Sequence, residues 1–316
     1  MGRSFDEALS DRPLFFEPVP PPARTNPARA QEQFAALRDL LAALPRIDAV
    51  NVPELAEENH DGRPRYRTED PRLFARRIRE ATGREVLVNK IVAHLAGAAA
   101  MEEWARATVD AGVRRAVLVG GSSRYIPYPG PSVTEANRIA GPIFGAAGGS
   151  VGNIAIPQRE NEAHRMLLKT RSGARFFTTQ IVFDPQQTIA MLAEYGRLCR
   201  QASLPPASVL VSLAPIADEG DAEFVRWLGA DIPDAVEREL LNGDESSIGR
   251  RSAAHALSVW TAIRDAPSLR PLGRRVGLNV EQITTRHLAT ARAMIELLLP
   301  EIEGSDRGSA APDPVA

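Results

Sequence analysis

Cysteine is nearly absent from this chain: Cys199 is the only one in 316 residues. A single thiol excludes an intrachain disulfide and a multi-cysteine zinc site, and it suits folding in a reducing compartment. In GRLCRQ, on a predicted helix, it reads as a small buried residue. Excess charge is also missing. With 38 basic and 40 acidic residues and a net charge of −2, the surface offers nucleic acid or an anionic membrane no electrostatic reason to bind. No apolar run reaches the roughly 20 residues that a bilayer span needs. The opening MGRSFDEALSDRP lacks a basic-then-apolar signal pattern, so the expectation is a cytoplasmic protein. The five histidines, His60, His94, His164, His255 and His287, form no HxxxH, HExxH or HxH pair, so no metal site is expected. GxGxxG, GxxxxGK[ST] and GxSxG are all missing, which removes the dinucleotide fingerprint, the P-loop and the serine elbow.

What is present is a regular alternation. Hydrophobic residues make up 44% of the chain, enough for one large core. Short apolar runs predict strands at Leu14–Pro20, Ile47–Val52, within Glu85–Leu95, and then at RRAVLVGG, VGNIAIP, ARFFTTQIVFD, SVLVSLAPI and VGLNVEQI. Helical periodicity fills the intervals. Asn26-Pro27 and Asp70-Pro71 supply caps and first-turn prolines, and Gly112 supplies a stop. The stretch Glu219–Ala266 is longer than one helix and is broken near Asn242-Gly243. About eight strand–helix units imply a parallel sheet covered by helices, and at this length a closed (β/α)8 TIM barrel, α/β in class, with a helical insertion before the last strand. Residues 1–13 read as an N-terminal extension, 14–303 as one catalytic barrel domain, and 304–316 as a disordered tail.

Barrel active sites lie where the strands end at their C-termini. That points to Glu17, Asn51, His94, Gly120 to Tyr128, Gln158 to Glu160, Gln180 and the loop after Ile216. Glu17 interrupts an apolar strand. A carboxylate there needs a partner or a raised pKa, and a raised pKa makes it a proton donor near neutrality; the plain alternative is a structural carboxylate. The glycine-rich loop GGSSRYIPYPGP either brings backbone amides to an anion or is an ordinary turn. Tyr125 and Tyr128 either stack on a flat ring or pack the loop. Gln180 offers a paired donor and acceptor to a heterocycle such as a pterin, or closes a gap in the backbone hydrogen bonding.

In this order, three segments resemble the methylenetetrahydrofolate reductase family. FEPVPPP resembles its phenylalanine–glutamate signature followed by prolines, AHLAG its His-Leu pair, and LKTRSGARFFTTQIVFD its Lys, Gly-Ala, Thr-Gln and Phe-Asp succession. The resemblance implies that NAD(P)H reduces 5,10-methylenetetrahydrofolate to 5-methyltetrahydrofolate within one-carbon metabolism and methionine supply. Glu17 is then the catalytic acid that helps open the imidazolidine ring to an iminium ion. Gln180 and Ser122 face the substrate, and His94, Gly120, Gly121, Tyr125 and Lys169 face the cofactor. Departures also occur. The family's Arg-Gly-Asp after the fourth strand is matched by Gly120, Gly121 and Ser122, with no acid. Its Tyr-Pro-Glu after the fifth strand and the His beyond are replaced by Ile156, Pro157, Gln158 and Glu160. The Arg expected to meet folate is unmatched in VEQITTR. Several flavin contacts are among the losses, so both an FAD route and a direct NADH or NADPH route fit, the latter as in the mycobacterial-type reductases. Two further functions compete: another pterin- or flavin-linked oxidoreductase or C1-transfer enzyme on the same barrel, and a non-catalytic folate-binding protein. A homo-oligomer is compatible with each.

Overall fold

The computed structural model describes residues 3–59, 61–123 and 125–304. The tail read as disordered therefore lies outside the described residues, except for Gly304. Eight strands form the barrel wall: β1 (Leu14–Glu17), β2 (Ala49–Val52), β5 (Glu85–Ile91), β6 (Arg115–Val119), β7 (Ser150–Ala155), β8 (Phe176–Thr179), β9 (Ser208–Leu213) and β10 (Val276–Glu281). All pair in parallel and close in the order β1-β10-β9-β8-β7-β6-β5-β2. This is the (β/α)8 barrel that the sequence pattern implies. The remaining two strands, β3 (Ala56–Glu58) and β4 (Pro64–Tyr66), form an antiparallel hairpin.

The helices of the outer layer are α2 (Pro27–Ala43), α3 (Pro71–Thr82), α4 (Gly97–Asp110), α5 (Val133–Ala146), α6 (Glu162–Arg171), α7 (Pro185–Gln201), α10 (Ile248–Asp265) and α11 (Leu288–Glu303). Their starts follow from local chemistry. Asn26, Asp70 and Asp184 each accept a backbone N–H of the first turn, each with proline at the next position. Ser132 and Glu135 form a reciprocal capping box on α5. Leu37, Leu40 and Leu41 of α2 and Phe74, Ala75 and Ile78 of α3 turn inward against the strands. The stretch Glu219–Ala266 resolves into α8 (Glu219–Trp227), α9 (Asp234–Leu241) and α10, with Gly243 at φ +87° at the expected break. Helix α10 belongs to the barrel's own helical layer. Helices α8 and α9 are the insertion, packed through Ala222, Val225 and Leu240 onto Ile181, Phe183 and Ile216.

Inside the barrel, Phe15, Ala49, Leu87, Val117, Phe176 and Leu210 form an apolar layer. Gly152 of β7 has no side chain here because Phe176 takes the space; a Cβ would lie 2.4 Å from that ring. Below the layer sits α1 (Phe5–Ser10), held by its own Ser4–Glu7 capping box. Phe5 lies 5.4 Å from the Phe15 ring and 5.6 Å, edge-on, from Phe176, and the Arg115 guanidinium covers it at 4.1 Å. Arg3 and Arg46 both reach Asp48 at 2.7 Å, and Asp48 in turn accepts the Leu14 N–H. Residues 5–10, read from sequence as part of an extension, thus plug the bottom of the barrel. Phe5→Leu keeps most of the volume but loses both ring contacts. We expect it to cost about 1–2 kcal/mol in chemical denaturation without changing the fold.

Candidate active site at the barrel mouth

One pleat above the apolar layer, the same strands turn polar. Two residues on from Phe15, Ala49, Leu87, Phe176 and Leu210 come Glu17, Asn51, Asn89, Thr178 and Ser212, all buried. Because side chains alternate along a strand, these point into the barrel at its C-terminal mouth. Asn279 and Glu281 of β10 complete the ring, Glu281 paired in register with Glu17.

Glu17 is the hub. Its Oε2 accepts the amides of Asn51 at 2.6 Å and Asn279 at 2.8 Å, and Asn89 approaches Oε1 at 3.5 Å. The Asn279 amide also reaches Ser212 at 3.1 Å and Glu281 at 3.3 Å. Among the described residues, no basic side chain is a partner of either glutamate. Burial pushes the Glu17 carboxyl well above the usual range, the neighbouring Glu281 charge pushes it further, and the bonds from Asn279 and Asn51 only partly offset this. Burial likewise raises Glu281, to about 7, against hydrogen bonding with Ser212 and Asn279. Two carboxyls side by side without a cation hold a proton near neutrality. A buried carboxyl pair of this kind has the chemistry of a general acid. The mouth is also rich in acceptors. Asn51, Asn89 and Asn279 each leave a buried side-chain carbonyl oxygen without a hydrogen-bond partner among the described residues. Buried orphan acceptors beside two carboxyls favour a ligand that presents N–H donors.

The other residues singled out from sequence lie around this mouth. Glu58 on β3 gathers three of them. Its carboxylate bonds His94 Nε2 at 2.6 Å and Tyr128 Oη at 2.6 Å, and also accepts the Ser122 hydroxyl. Burial acts to raise Glu58, but the bonds from Ser122, Tyr128 and His94 outweigh it and hold its carboxyl below the usual range. The hairpin is thereby clamped onto the loop after β6. Within that loop Tyr128 covers Gly121 so closely that a Cβ would lie 2.2 Å from its ring, so this glycine serves the loop's own packing. Gly120 sits at the end of β6, and Tyr125 is 80% exposed on the loop. Gln180 ends β8 with both amide groups committed: Nε2 donates to Leu228 O at 2.9 Å, and Oε1 accepts the Ile181 N–H at 3.0 Å. It ties the strand end to the end of α8. Lys169 is buried on α6, where its Nζ donates to Ile154 O at 2.7 Å and to Glu162 at 3.0 Å; burial lowers its amine. Glu17 and Asn51 meet directly, and His94 and Ser122 share Glu58. Gln180 and Lys169 join neither group. Across the rim His287 bonds Asp221 at 2.7 Å and lies 3.7 Å from Asp218; the three have ligand-type atoms within 4.8 Å of one another. Sequence reasoning missed Asn89, Ser212, Asn279 and Glu281.

Neither a protein-family model nor a curated protein sequence matches this chain. Structural comparison is more informative. An uncharacterized protein from Clostridium thermocellum superposes with a TM-score of 0.72 at 18% identity, over 92% of this chain and 96% of that one. That protein binds two copies of 5-methyl-5,6,7,8-tetrahydrofolic acid. At this identity it is a likeness of fold. Among the described residues no helix is long and apolar enough to cross a membrane.

Proposed function

We propose that the barrel mouth binds a reduced folate and that Glu17 is the acid of a methylenetetrahydrofolate-reductase-type reaction. The observation that carries this is Glu17 itself: a buried carboxyl at a strand end, pushed up by burial and by Glu281, and held in place by asparagine amides. A pterin presents ring and exocyclic N–H donors along one edge, which suits the carboxyls and the orphan asparagine oxygens. The folate bound by the structural neighbour supports the same ligand class, as does the resemblance of FEPVPPP to the reductase signature. In this reading the protonated Glu17 gives its proton as the imidazolidine ring of 5,10-methylenetetrahydrofolate opens, and the resulting iminium carbon takes a hydride from NAD(P)H. The products are 5-methyltetrahydrofolate and NAD(P)+. Burial and the neighbouring Glu281 keep the acid neutral, and the asparagine amides hold it in position before the step.

The residues present do not fit a flavin well. His94 is bound to Glu58 with its side chain 1% exposed, Lys169 is taken by Glu162 and a backbone carbonyl, and Tyr128 covers Gly121. We therefore derive no step through FAD and read the hydride transfer as direct. The test is NADH and NADPH oxidation by purified protein free of flavin absorbance, with and without 5,10-methylenetetrahydrofolate. Folate-dependent oxidation supports the reading. No oxidation with either nucleotide, even after FAD is supplied, removes the reductase. A second reading, a folate-binding protein without turnover, is favoured by the neighbour, whose known property is binding. It predicts tight 5-methyltetrahydrofolate binding and no oxidation.

A further inference from the structure

A groove of about 510 Å³ runs between α2 and α11, just outside the rim formed by β1 and β10. It has the size of a small-molecule site. One wall is apolar and partly aromatic: Phe34, Leu37 and Leu40 from α2, with Phe74 behind them. The opposite edge is cationic. Arg292 lines it and is held by Glu296 at 2.8 Å, while Arg286 is exposed and has no carboxylate partner among the described residues. Gln33, also in the lining, leaves its side-chain oxygen buried and unpartnered.

The groove adjoins the barrel rim next to the carboxyl pair. Its upper edge is made by Pro18, Val19 and Gln282, the residues that directly follow Glu17 and Glu281. Gln282 locks that edge: its Oε1 accepts the Val19 N–H at 3.3 Å, and its backbone N–H donates to Glu17 O at 2.8 Å. Two residues along a strand span only about 7 Å. A ligand seated on Glu17 thus needs a short arm to cross the rim. An arm that matches the groove is flat and aromatic where it passes Phe34 and Leu37, and anionic where it meets Arg286 and Arg292.

We propose that this groove receives the aminobenzoyl-glutamate arm of the folate, with Arg286 meeting its carboxylates. This rests on the reading that the pterin occupies the barrel mouth. It assigns to groove and mouth separate parts of one ligand, so the two are separable by binding measurements. Calorimetric titrations would use tail-less 6-methyltetrahydropterin and the mono- and triglutamate forms of 5-methyltetrahydrofolate. The proteins would be the wild type, Arg286→Glu and Ala30→Trp, the last filling the groove from a helix position that is already partly exposed. Expected are triglutamate binding tighter than monoglutamate in the wild type, a loss of roughly 10-fold or more for both tailed folates in each variant, and unchanged pterin affinity. If both variants bind tailed folates as the wild type does, the groove assignment is overturned while the mouth reading stands. If the wild type binds neither pterin nor folate, the mouth reading falls and takes this proposal with it.

Discussion

Glu17→Gln is expected to leave the barrel folded and to lower folate-dependent NAD(P)H oxidation by about 100-fold or more, the usual scale of a lost general acid. Glutamine matches the shape of the protonated carboxyl and still accepts from Asn51 and Asn279, which lie 2.6 and 2.8 Å from Oε2. What it lacks is the proton. Burial and Glu281 both favour the protonated form of Glu17 in the wild type. Wild-type turnover should therefore fall as pH rises through the folded value of Glu17, and the residual turnover of the variant should lose this limb. Circular dichroism and a denaturation midpoint recorded on the same sample separate lost chemistry from lost structure. Near-normal turnover in a folded variant would remove Glu17 from the mechanism.

The second large effect is on stability. Between the ordinary glutamate value of 4.5 and about 7, folded Glu281 keeps a proton that the unfolded chain has released. The folded state then binds more protons, so stability falls as pH rises. The contribution is fully present below 4.5, is lost as pH climbs through about 7, and is flat above that. A shift of this size corresponds to on the order of 3 kcal/mol. Glu281→Gln removes the titration. Urea unfolding at pH 5 and pH 8 should show the variant near wild type at pH 5 and more stable by on the order of 2–3 kcal/mol at pH 8. Glu17 remains in the variant, so part of the wild-type decline persists and the difference between the two proteins is the quantity to read. Equal midpoints at both pH values would contradict the account of a carboxyl pair without a cation.

The architecture was legible because each level repeated the same message. Apolar strands such as SVLVSL, proline-led helices at Asn26, Asp70 and Asp184, and the break at Gly243 all mark a βα alternation, and the barrel follows from their number. The hairpin was not legible. Its strands are three residues each, and Glu57 faces Arg65 where an apolar alternation would have been needed. The plug was hidden for a related reason: α1 is six residues long and its burial depends on Phe15 and Phe176, far away in sequence. Glu17 stood out as an acid in an apolar run. Its partners Asn89, Asn279 and Glu281, and Ser212 beyond Asn279, left a fainter signal, a polar residue at the inward phase of VLVNKI, VLVSL and VGLNVE, and only closure of the barrel brings them together. For Gln180 the sequence left a structural alternative beside the functional one, while Lys169 was placed at the cofactor by the resemblance alone; their side chains are bonded to Leu228 and to Glu162.

The most direct test of the central claim is a crystal structure of the protein soaked with 5-methyltetrahydrofolate. The account predicts a pterin ring in the barrel mouth, its N–H edge within hydrogen-bond distance of Glu17 or Glu281 and of at least one of Asn51, Asn89 and Asn279. A folate bound elsewhere with these groups untouched, or no folate bound at saturating concentration, would contradict it.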